Sequence, residues 1–321
     1  FFPVIETLDY ENNIRNYPMG TVVLITDPDH DRLTITQKER VKNMELFEQQ
    51  GIDYVRVDAR TILAVFSANQ AFLMLMDFWA KQLKAQKLWD KHPRFIIKTT
   101  ASAKSWDEWA AKNDVKVVNV PVGFKEIANV MKKVELQLQK APKKPVIVED
   151  VFGNEINLGV NPRLLFGGEE SGGMIMGTED LIQSMHGRKA IAMREKSATE
   201  AIIVASALVS QLGKKTLAEH FINLLKENNI TAKYDTRVDI AYYNESEPDI
   251  EKLKAEKLLG EEKRTKNDLF YLSMAIAVRK GLMTLENVKE VLADTFKALD
   301  FSNLTALNIV GEGHYRNCQD K

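Results

Sequence analysis

The chain has 321 residues, 45% of them hydrophobic, and its 44 basic and 45 acidic side chains nearly cancel. This balance argues against nucleic-acid and anionic-membrane partners, because both select an excess of positive charge. No apolar run reaches the roughly 18 residues of a membrane-spanning helix, and the single cysteine, Cys318, rules out a disulfide framework within the chain. We therefore expect a soluble, near-neutral protein of two or three domains from a reducing cytoplasm.

Both ends of the chain are unusual. It begins with two aromatic residues rather than methionine, and its last stretch, LNIVGEGHYRNCQDK, stops after an apparent strand and turn. This pattern predicts a piece of a longer polypeptide, with a processed or trimmed terminus as the alternative.

Strand-like and helix-like segments alternate, which predicts an α/β fold. Val22 to Thr26 is typical of a buried strand. Residues 39–49 are typical of a helix that ends at Gly51, and DYVRV (residues 53–57) is typical of a second strand. The segment after Ser67 is apolar nearly all round, which predicts a buried helix with Ser67 as its N-cap.

Two strand–helix pairs follow. Their strands are RFIIKT (residues 94–99) and VKVVNV (residues 115–120), and a capping box at Ser105–Glu108 is predicted to open the first helix. Further capping boxes at Ser197–Glu200 and Thr216–Glu219 predict two more helices.

The segment KLKAEKLLGEEKRTKND (residues 252–268) is dense in charge. Such a composition predicts a solvated helix or hinge with no chemistry of its own.

Asp27, Asp29 and Asp31 follow the first predicted strand, and Arg32 comes directly after them. Clustered like charges repel each other and so require a positive partner. Ligands in open α/β sheets bind beyond the carboxyl ends of strands, and carboxylate oxygens suit Mg²⁺. The pattern predicts a magnesium site at which Arg32 holds a phosphate. A solvated acidic turn is the plain alternative.

Two other kinds of acidic loop compete with this interpretation. An EF-hand starting at Asp27 requires glycine and glutamate where Arg32 and Lys38 stand, which disfavours calcium. Phosphatases that form an aspartyl-phosphate also place D-x-D after a strand, but they carry Thr or Val where this chain has Asp31. The phosphatase interpretation is weakened and stays open.

A glycine-rich stretch, LLFGGEESGGMIMG, covers residues 164–177. Its glycines allow close approach of a ligand to the backbone, while Glu169 and Ser171 offer hydrogen bonds. It matches neither the G-x-G-x-x-G dinucleotide fingerprint nor the G-x-S-x-G hydrolase elbow. An ordinary glycine-rich turn is the alternative.

Together, DPDHDR (residues 27–32) and GEESGG (residues 168–173) resemble the α-D-phosphohexomutase family, the phosphoglucomutases and phosphomannomutases. SANQAFLML, VPVGFKEI and REKSATEAIIVASALV resemble further segments of that family, in the same order. The similarity extends from residue 20 to about residue 240.

The resemblance implies mixed-sheet α/β domains of the phosphohexomutase type, two consecutive domains plus a C-terminal extension. The implied parts are the end of the second domain with the metal loop (1–60), the third domain with the sugar-binding loop (61–213), and connecting elements leading into a truncated fourth domain (214–321).

Members of this family move a phosphoryl group between O1 and O6 of a hexose through a phosphoserine. The resemblance therefore implies Mg²⁺ and hexose 1,6-bisphosphate, as activator or intermediate, besides the hexose phosphate substrate. The implied residues are the metal ligands Asp27, Asp29 and Asp31, the catalytic residues Arg32 and Lys196, and the substrate-binding residues Glu169, Ser171, Gly123 and Lys98.

Some features depart from the family pattern. Val122 replaces a threonine and Ser197 an aspartate, and no T-A-S-H-N-P-like phosphoserine loop or R-P-S-G-T loop occurs in the sequence. Ser102 in TTASAKSW lacks the following His-Asn-Pro and is interpreted as a strand-to-helix turn residue. We therefore expect mutase activity from the full-length protein and none from these 321 residues alone.

The favoured substrate is glucose phosphate, with mannose phosphate as the second choice, because the sugar loop of glucosamine enzymes tends to read G-E-Q-S-G-H. A non-catalytic sugar-phosphate or metal-binding protein on the same fold is the alternative to an enzyme. The sequence leaves the oligomeric state open.

Overall fold

The computed structural model describes residues 13–233, 240–297, 299–302 and 304. These residues form two compact units, the first ending at Lys233 and the second beginning at Ile240. The predictions made for the chain ends, residues 1–10 and 307–321, lie outside the described residues. The fold is mixed α/β, as predicted, whereas the domain limits at residues 60 and 213 stay predictions.

Strands and helices alternate through the described part of the first unit. In chain order they are β1 (Val22–Thr26), β2 (Leu33–Arg40), α1 (Met44–Gln50), β3 (Asp53–Arg56), β4 (Thr61–Phe66), α2 (Ala68–Ala85), β5 (Arg94–Thr99), α3 (Lys104–Lys112), β6 (Lys116–Val120), α4 (Phe124–Lys140), β7 (Pro145–Glu149), β8 (Glu155–Val160), β9 (Arg163–Gly168), β10 (Met174–Met176), β11 (Ile182–Gln183), β12 (Lys189–Ala190), α5 (Ala198–Leu212) and α6 (Leu217–Glu227).

The first sheet is antiparallel and has the strand order β1-β2-β4-β3. Thr26 pairs with Leu33, so residues 27–32 form the turn of the β1–β2 hairpin. β1 is an edge strand in which only Ile25 is buried. The prediction of a buried strand was therefore wrong in its burial, because an edge strand of an antiparallel sheet leaves much of its surface open.

The helix predicted from residue 39 is shorter than expected. β2 continues through Arg40, held extended by its ladder with β4, and α1 begins only at Met44. α1 ends at Gly51, as predicted, where a φ of +66° suits glycine. The strand predicted from DYVRV is β3, whereas β4 was not predicted.

α2 is buried, as predicted. Its start is a capping box in which Ser67 Oγ accepts from the Gln70 N–H and Gln70 Oε1 accepts from the Ser67 N–H. Asp77, the one acid in this apolar helix, accepts a 2.9 Å hydrogen bond from Trp109 Nε1 and pairs with Lys81 at 2.8 Å. These partners offset the cost of burying its charge.

The second sheet has the strand order β10-β9-β5-β6; β5 is parallel to β6 and β9, and β10 is antiparallel to β9. The two predicted strand–helix pairs are confirmed as β5–α3 and β6–α4. α3, however, begins at Lys104 after Ala103, which makes no side-chain cap. The capping box predicted at Ser105 was wrong, because the helix has already started there.

Both faces of the second sheet are covered. One face, together with the first sheet and α2, encloses a core that α3, α5 and α6 also contact. The other face packs against α4 and the β7–β8 hairpin. The central strands β5 and β9 are consequently buried along their whole length.

The second unit contains α7 (Ile250–Arg279) and α8 (Leu285–Thr295). The charge-dense segment 252–268 lies within α7 and is mostly exposed, which confirms the prediction of a solvated helix. Asp249 caps α7 by accepting from the N–H groups of Glu251 and Lys252.

Within the described residues, no single helix meets the length and composition of a membrane span. α5 and α6 meet them only when taken together as a pair bent by 90°.

Candidate active site

The turn between β1 and β2 folds back on its own first residue. Oδ1 of Asp27 accepts the backbone N–H groups of Asp31 and Arg32, both at 3.0 Å. This turn brings Asp27, Asp29 and Asp31 together, each offering one carboxylate oxygen within 4.8 Å of the others. Burial raises the pKa of Asp27, but the hydrogen bonds from Arg32 and Asp31 outweigh it and lower that pKa below its usual value. Asp27 is therefore ionised at neutral pH.

Two cations of the chain lie beside these carboxylates. Arg32 Nε is 3.4 Å from Asp27 Oδ2 and 3.5 Å from Asp31 Oδ1. Lys196 Nζ is 3.0 Å from Asp31 Oδ2 and 3.4 Å from Glu169 Oε1. Burial lowers the pKa of Lys196, but Asp31 and Glu169 outweigh burial and raise it. The ammonium is charged, and it joins the aspartate turn to the glycine-rich loop.

The donor set fits a hard divalent cation. Asp31 Oδ1 is buried, and no hydrogen bond to it exists among the described residues. Arg32 Nε lies 3.5 Å from this oxygen, which is beyond good hydrogen-bond distance. A buried carboxylate oxygen without a donor is costly unless a cation binds it. Three converging carboxylates with such an oxygen are the ligands that Mg²⁺ prefers.

The glycine-rich loop is the tight turn of the β9–β10 hairpin. Glu169 N–H donates to Gly173 O at 3.0 Å, and Gly172 N–H donates to Glu169 O at 3.2 Å. The Leu33 N–H donates to Gly172 O at 3.2 Å, which ties this turn directly to the end of the aspartate turn.

Glycine is required at this junction. Gly172 has a φ of +105°, and a Cβ there would lie 3.3 Å from the Cβ of Arg32. The side chain of Glu169 is buried and Ser171 is half-buried. The close approach seen here is between two loops of the chain itself. The approach of a ligand to this backbone stays a prediction.

The start of α5 is the third segment at this point. The Ala198 N–H donates to His30 O at 3.1 Å. The His30 ring, whose backbone has a φ of +59°, lies between the hydroxyls of Thr26 and Thr199, each at 3.1 Å. A side chain at positive φ stores strain, and the two hydrogen bonds of the ring offset it. They also hold the aspartate turn against the start of α5.

The capping box predicted at Ser197 was wrong, although Ser197 is the N-cap of α5. Its side chain makes no cap hydrogen bond. The carboxylate of Glu200 instead accepts the Met176 N–H at 3.1 Å. Burial raises the pKa of Glu200 above its ordinary value.

Gly123 and Lys98 occupy different surroundings. Gly123 precedes α4 with a φ of +122°, and the ring of the next residue, Phe124, lies 5.9 Å from Lys196 Nζ. Lys98 is buried, and its ammonium donates to the carbonyls of Ser102 and Ala103 and to the carboxylate of Asp107. Three donors are thus engaged, and Lys98 holds the β5–α3 turn. Its part in substrate binding stays a prediction.

Ser102 is a turn residue, as predicted. It lies between β5 and α3, and its Oγ is 2.8 Å from Thr99 Oγ1.

Sequence reasoning missed three side chains at this site: His30, Thr199 and Phe124. His30 stands between two of the aspartates, which was a local signal of its proximity. Thr199 and Phe124 carry no such signal, because only tertiary contacts bring them to His30 and Lys196.

Comparison with known proteins agrees with this architecture. Residues 71–227 match the family model of the phosphoglucomutase/phosphomannomutase α/β/α domain III. Residues 71–227, just under half of the 321 residues, are therefore similar to the third domain of the phosphoglucomutases and phosphomannomutases. The predicted range for that domain, 61–213, overlaps this match. No curated protein sequence shows significant similarity to the chain.

Similar solved structures are found at low identity. One is a Thermus thermophilus protein assigned as a phosphomannomutase: 18% identity, TM-score 0.39, 70% of this chain and 34% of that chain covered. Another is Aspergillus fumigatus N-acetylphosphoglucosamine mutase with GlcNAc-6P and magnesium: 10% identity, TM-score 0.40, coverage 67% and 36%. The same mutase with glucose 1,6-bisphosphate has 8% identity and a TM-score of 0.38, and the match covers 67% of this chain and 36% of that chain. The chain spans about a third of the length of these structures.

Proposed function

We propose that this chain is part of a phosphohexomutase, an isomerase that interconverts hexose 1-phosphate and hexose 6-phosphate in the cytoplasm. The observation that carries the proposal is the junction at Lys196. Its ammonium bridges Asp31 of the aspartate turn and Glu169 of the glycine-rich turn. A site of this kind combines a cation-binding set with a neighbouring set of hydroxyl-binding groups, which a sugar phosphate requires.

The aspartate turn, with Arg32 and Lys196, is the part of the site that would bind the phosphate. Asp27, Asp29 and Asp31 would hold Mg²⁺, which when bound supplies positive charge against the oxygens of the transferring phosphoryl group. Arg32 and Lys196 add fixed positive charge at the same place. The side chains of the chain thus orient the phosphate and hold its charge, and such positioning provides most of the catalysis in phosphoryl transfer.

The glycine-rich turn is the part of the site that would bind the sugar. Glu169 and Ser171 are placed on one tight turn, from which a carboxylate and a hydroxyl can accept and donate hydrogen bonds to ring hydroxyls. The 3.4 Å contact between Lys196 and Glu169 is long, so a sugar hydroxyl can replace it at little cost. We infer a glucose phosphate substrate, with mannose second, and a hexose 1,6-bisphosphate intermediate formed with a phosphoserine elsewhere in the full-length protein.

The test is turnover by the full-length protein. Glucose 1-phosphate, mannose 1-phosphate and N-acetylglucosamine 1-phosphate are each incubated with Mg²⁺ and a trace of glucose 1,6-bisphosphate, and the 6-phosphate is followed by ³¹P NMR. We expect conversion, fastest with glucose, and a loss of at least about 100-fold in kcat for Asp29→Asn. Asp114→Asn, whose side chain is 98% exposed, is the matched control and keeps full activity.

Three outcomes reject parts of the proposal. Binding of sugar phosphate without turnover by the wild-type protein favours a non-catalytic binding protein. A beryllofluoride adduct on Asp27 favours the aspartyl-phosphate phosphatase. Faster conversion of N-acetylglucosamine phosphate than of glucose phosphate overturns the substrate preference alone.

A further inference from the structure

Glu135 is a buried carboxylate without a part in the proposed reaction. It lies on α4, and its side chain is only 4% exposed. Oε2 accepts from the guanidinium groups of Arg188 and Arg194, and Oε1 accepts the backbone N–H of Ile191 at 3.2 Å. Three donors from one short segment therefore converge on a single carboxylate. Hydrogen bonds between ionised groups are about twice as strong as neutral ones.

The segment that Glu135 binds leads directly to Lys196. After β12 ends at Ala190, the chain is irregular until α5 begins at Ala198. Neither a strand ladder nor helical hydrogen bonds hold Lys196 in place. One side of this segment is attached through Ile191 to Glu135, and the other through the Ala198 N–H to His30 O. Lys196 lies between these two attachments.

α4 contacts this segment at two places. The ring of Phe124, in its first turn, faces Lys196 Nζ at 5.9 Å, and Glu135 binds Arg194 three turns further on. A helix rises 1.5 Å per residue, so these two contacts are about 16 Å apart along a rigid axis. Rigid spacing of this kind limits where the Lys196 ammonium can lie.

We propose that Glu135 is a positioning residue for Lys196. Through Arg194 and Ile191 it holds the irregular segment against α4, so that the Lys196 ammonium stays between Asp31 and Glu169. Its effect on catalysis rests on the proposed function, whereas its effect on the position of Lys196 does not. Misplacement of a phosphate-binding group by about 1 Å can cost about 100-fold in rate.

The experiment measures how fast Lys196 is acetylated in the full-length protein, by mass spectrometry, with exposed Lys132 as internal reference. In the wild type Lys196 is only 13% exposed and is paired with two carboxylates. We expect Glu135→Gln and Arg194→Gln to raise its acetylation rate at least about 5-fold, since the segment is released. Glu45→Gln, an exposed helical glutamate, changes nothing. Arg188→Gln has a smaller effect, because Arg188 is further from Lys196 along the chain.

Kinetics give the second readout. The same two variants lower kcat about 10-fold to 100-fold, while KM for the hexose phosphate changes less, because Lys196 acts on the transferring phosphoryl. Arg194 is partly exposed, so Arg194→Gln still folds if Glu135→Gln does not. Unchanged acetylation of Lys196 in a folded variant overturns the proposal. If the wild type converts no hexose phosphate, the proposed function fails, and the acetylation rates still decide the role of Glu135.

Discussion

Replacing Lys196 by methionine tests the central contact of the site. Methionine keeps the length and the apolar stem of the side chain but removes its charge. In the wild type the ammonium lies 3.0 Å from Asp31 and 3.4 Å from Glu169. The variant leaves these two carboxylates close together without the cation that separates them.

The size of the effect follows from the two distances. The bonded oxygens of Asp31 and Glu169 lie no more than the sum of these distances apart, about 6.4 Å. At an effective dielectric constant of about 20, two such charges repel by at least about 2.6 kcal/mol. Reorientation of the carboxylates toward solvent relieves part of this repulsion. We therefore expect Lys196→Met to lower the free energy of unfolding by about 2 kcal/mol, or about 1 M in the urea midpoint.

Urea unfolding followed by tryptophan fluorescence measures this change in the first unit alone. The four tryptophans lie in that unit, at positions 79, 89, 106 and 109. Lys132→Met, an exposed lysine on α4, is the matched control and leaves the midpoint within experimental error.

A double-mutant cycle then separates repulsion from lost packing. Adding Glu169→Gln to Lys196→Met removes one of the two facing carboxylates and should recover at least half of the loss. If Lys196→Met unfolds at the wild-type urea concentration, or if Glu169→Gln brings no recovery, the Lys196 junction does not hold the two turns together.

Two further predictions concern the stability of the same unit. Burial lowers the pKa of His220 below 6.5, so the unfolded state binds the proton more readily and stability falls as the pH drops through 6.5. We expect a lower urea midpoint at pH 5.5 than at pH 7.5. His220→Gln should weaken this pH dependence, whereas His186→Gln, the control at an exposed histidine, should not. A Cβ on Gly177 would lie 1.6 Å from Leu164 O, so Gly177→Ala should destabilise by more than about 3 kcal/mol or abolish folding, whereas Gly187→Ala, with open space around it, costs about 1 kcal/mol. Equal urea midpoints for the two alanine variants would contradict this account.

Local patterns predicted the parts of the fold that depend on local interactions. The helix after Ser67, the glycine end of α1 at Gly51 and the two strand–helix pairs rest on capping, periodicity and turn residues that lie within a few positions of each other. The capping box at Thr216–Glu219 is also confirmed. Interactions of this short range depend on residues that are close in the sequence.

Two predicted capping boxes failed because the same residues found other partners. Ser105 lies inside a helix that the β5–α3 turn starts earlier, and Glu200 bonds to Met176, far away in the chain. β4 was missed because TILAVF is an apolar run whose strand character comes from pairing on both sides with β2 and β3. Tertiary pairing overrides local preference in such segments.

Glu135 is a residue whose buried contact is indicated by the sequence without its partners. It is an acid on the buried face of α4, where Val134 and Leu138 also lie. A charge on such a face requires a buried partner, but the sequence does not say which one. The partners, Arg188 and Arg194, are more than 50 residues away.

The sequence by itself determined which residue types stand at the site: three aspartates and an arginine after a strand, an acid and a serine among glycines, and a lysine before a helix. Only the tertiary structure decided that these segments meet, through the bond from Leu33 to Gly172, the bond from Ala198 to His30 and the Lys196 junction. The physical reason is that a residue's chemistry and its local turns are set by neighbours in the chain, whereas contact across more than 100 residues is set by the packing of sheets and helices around shared cores.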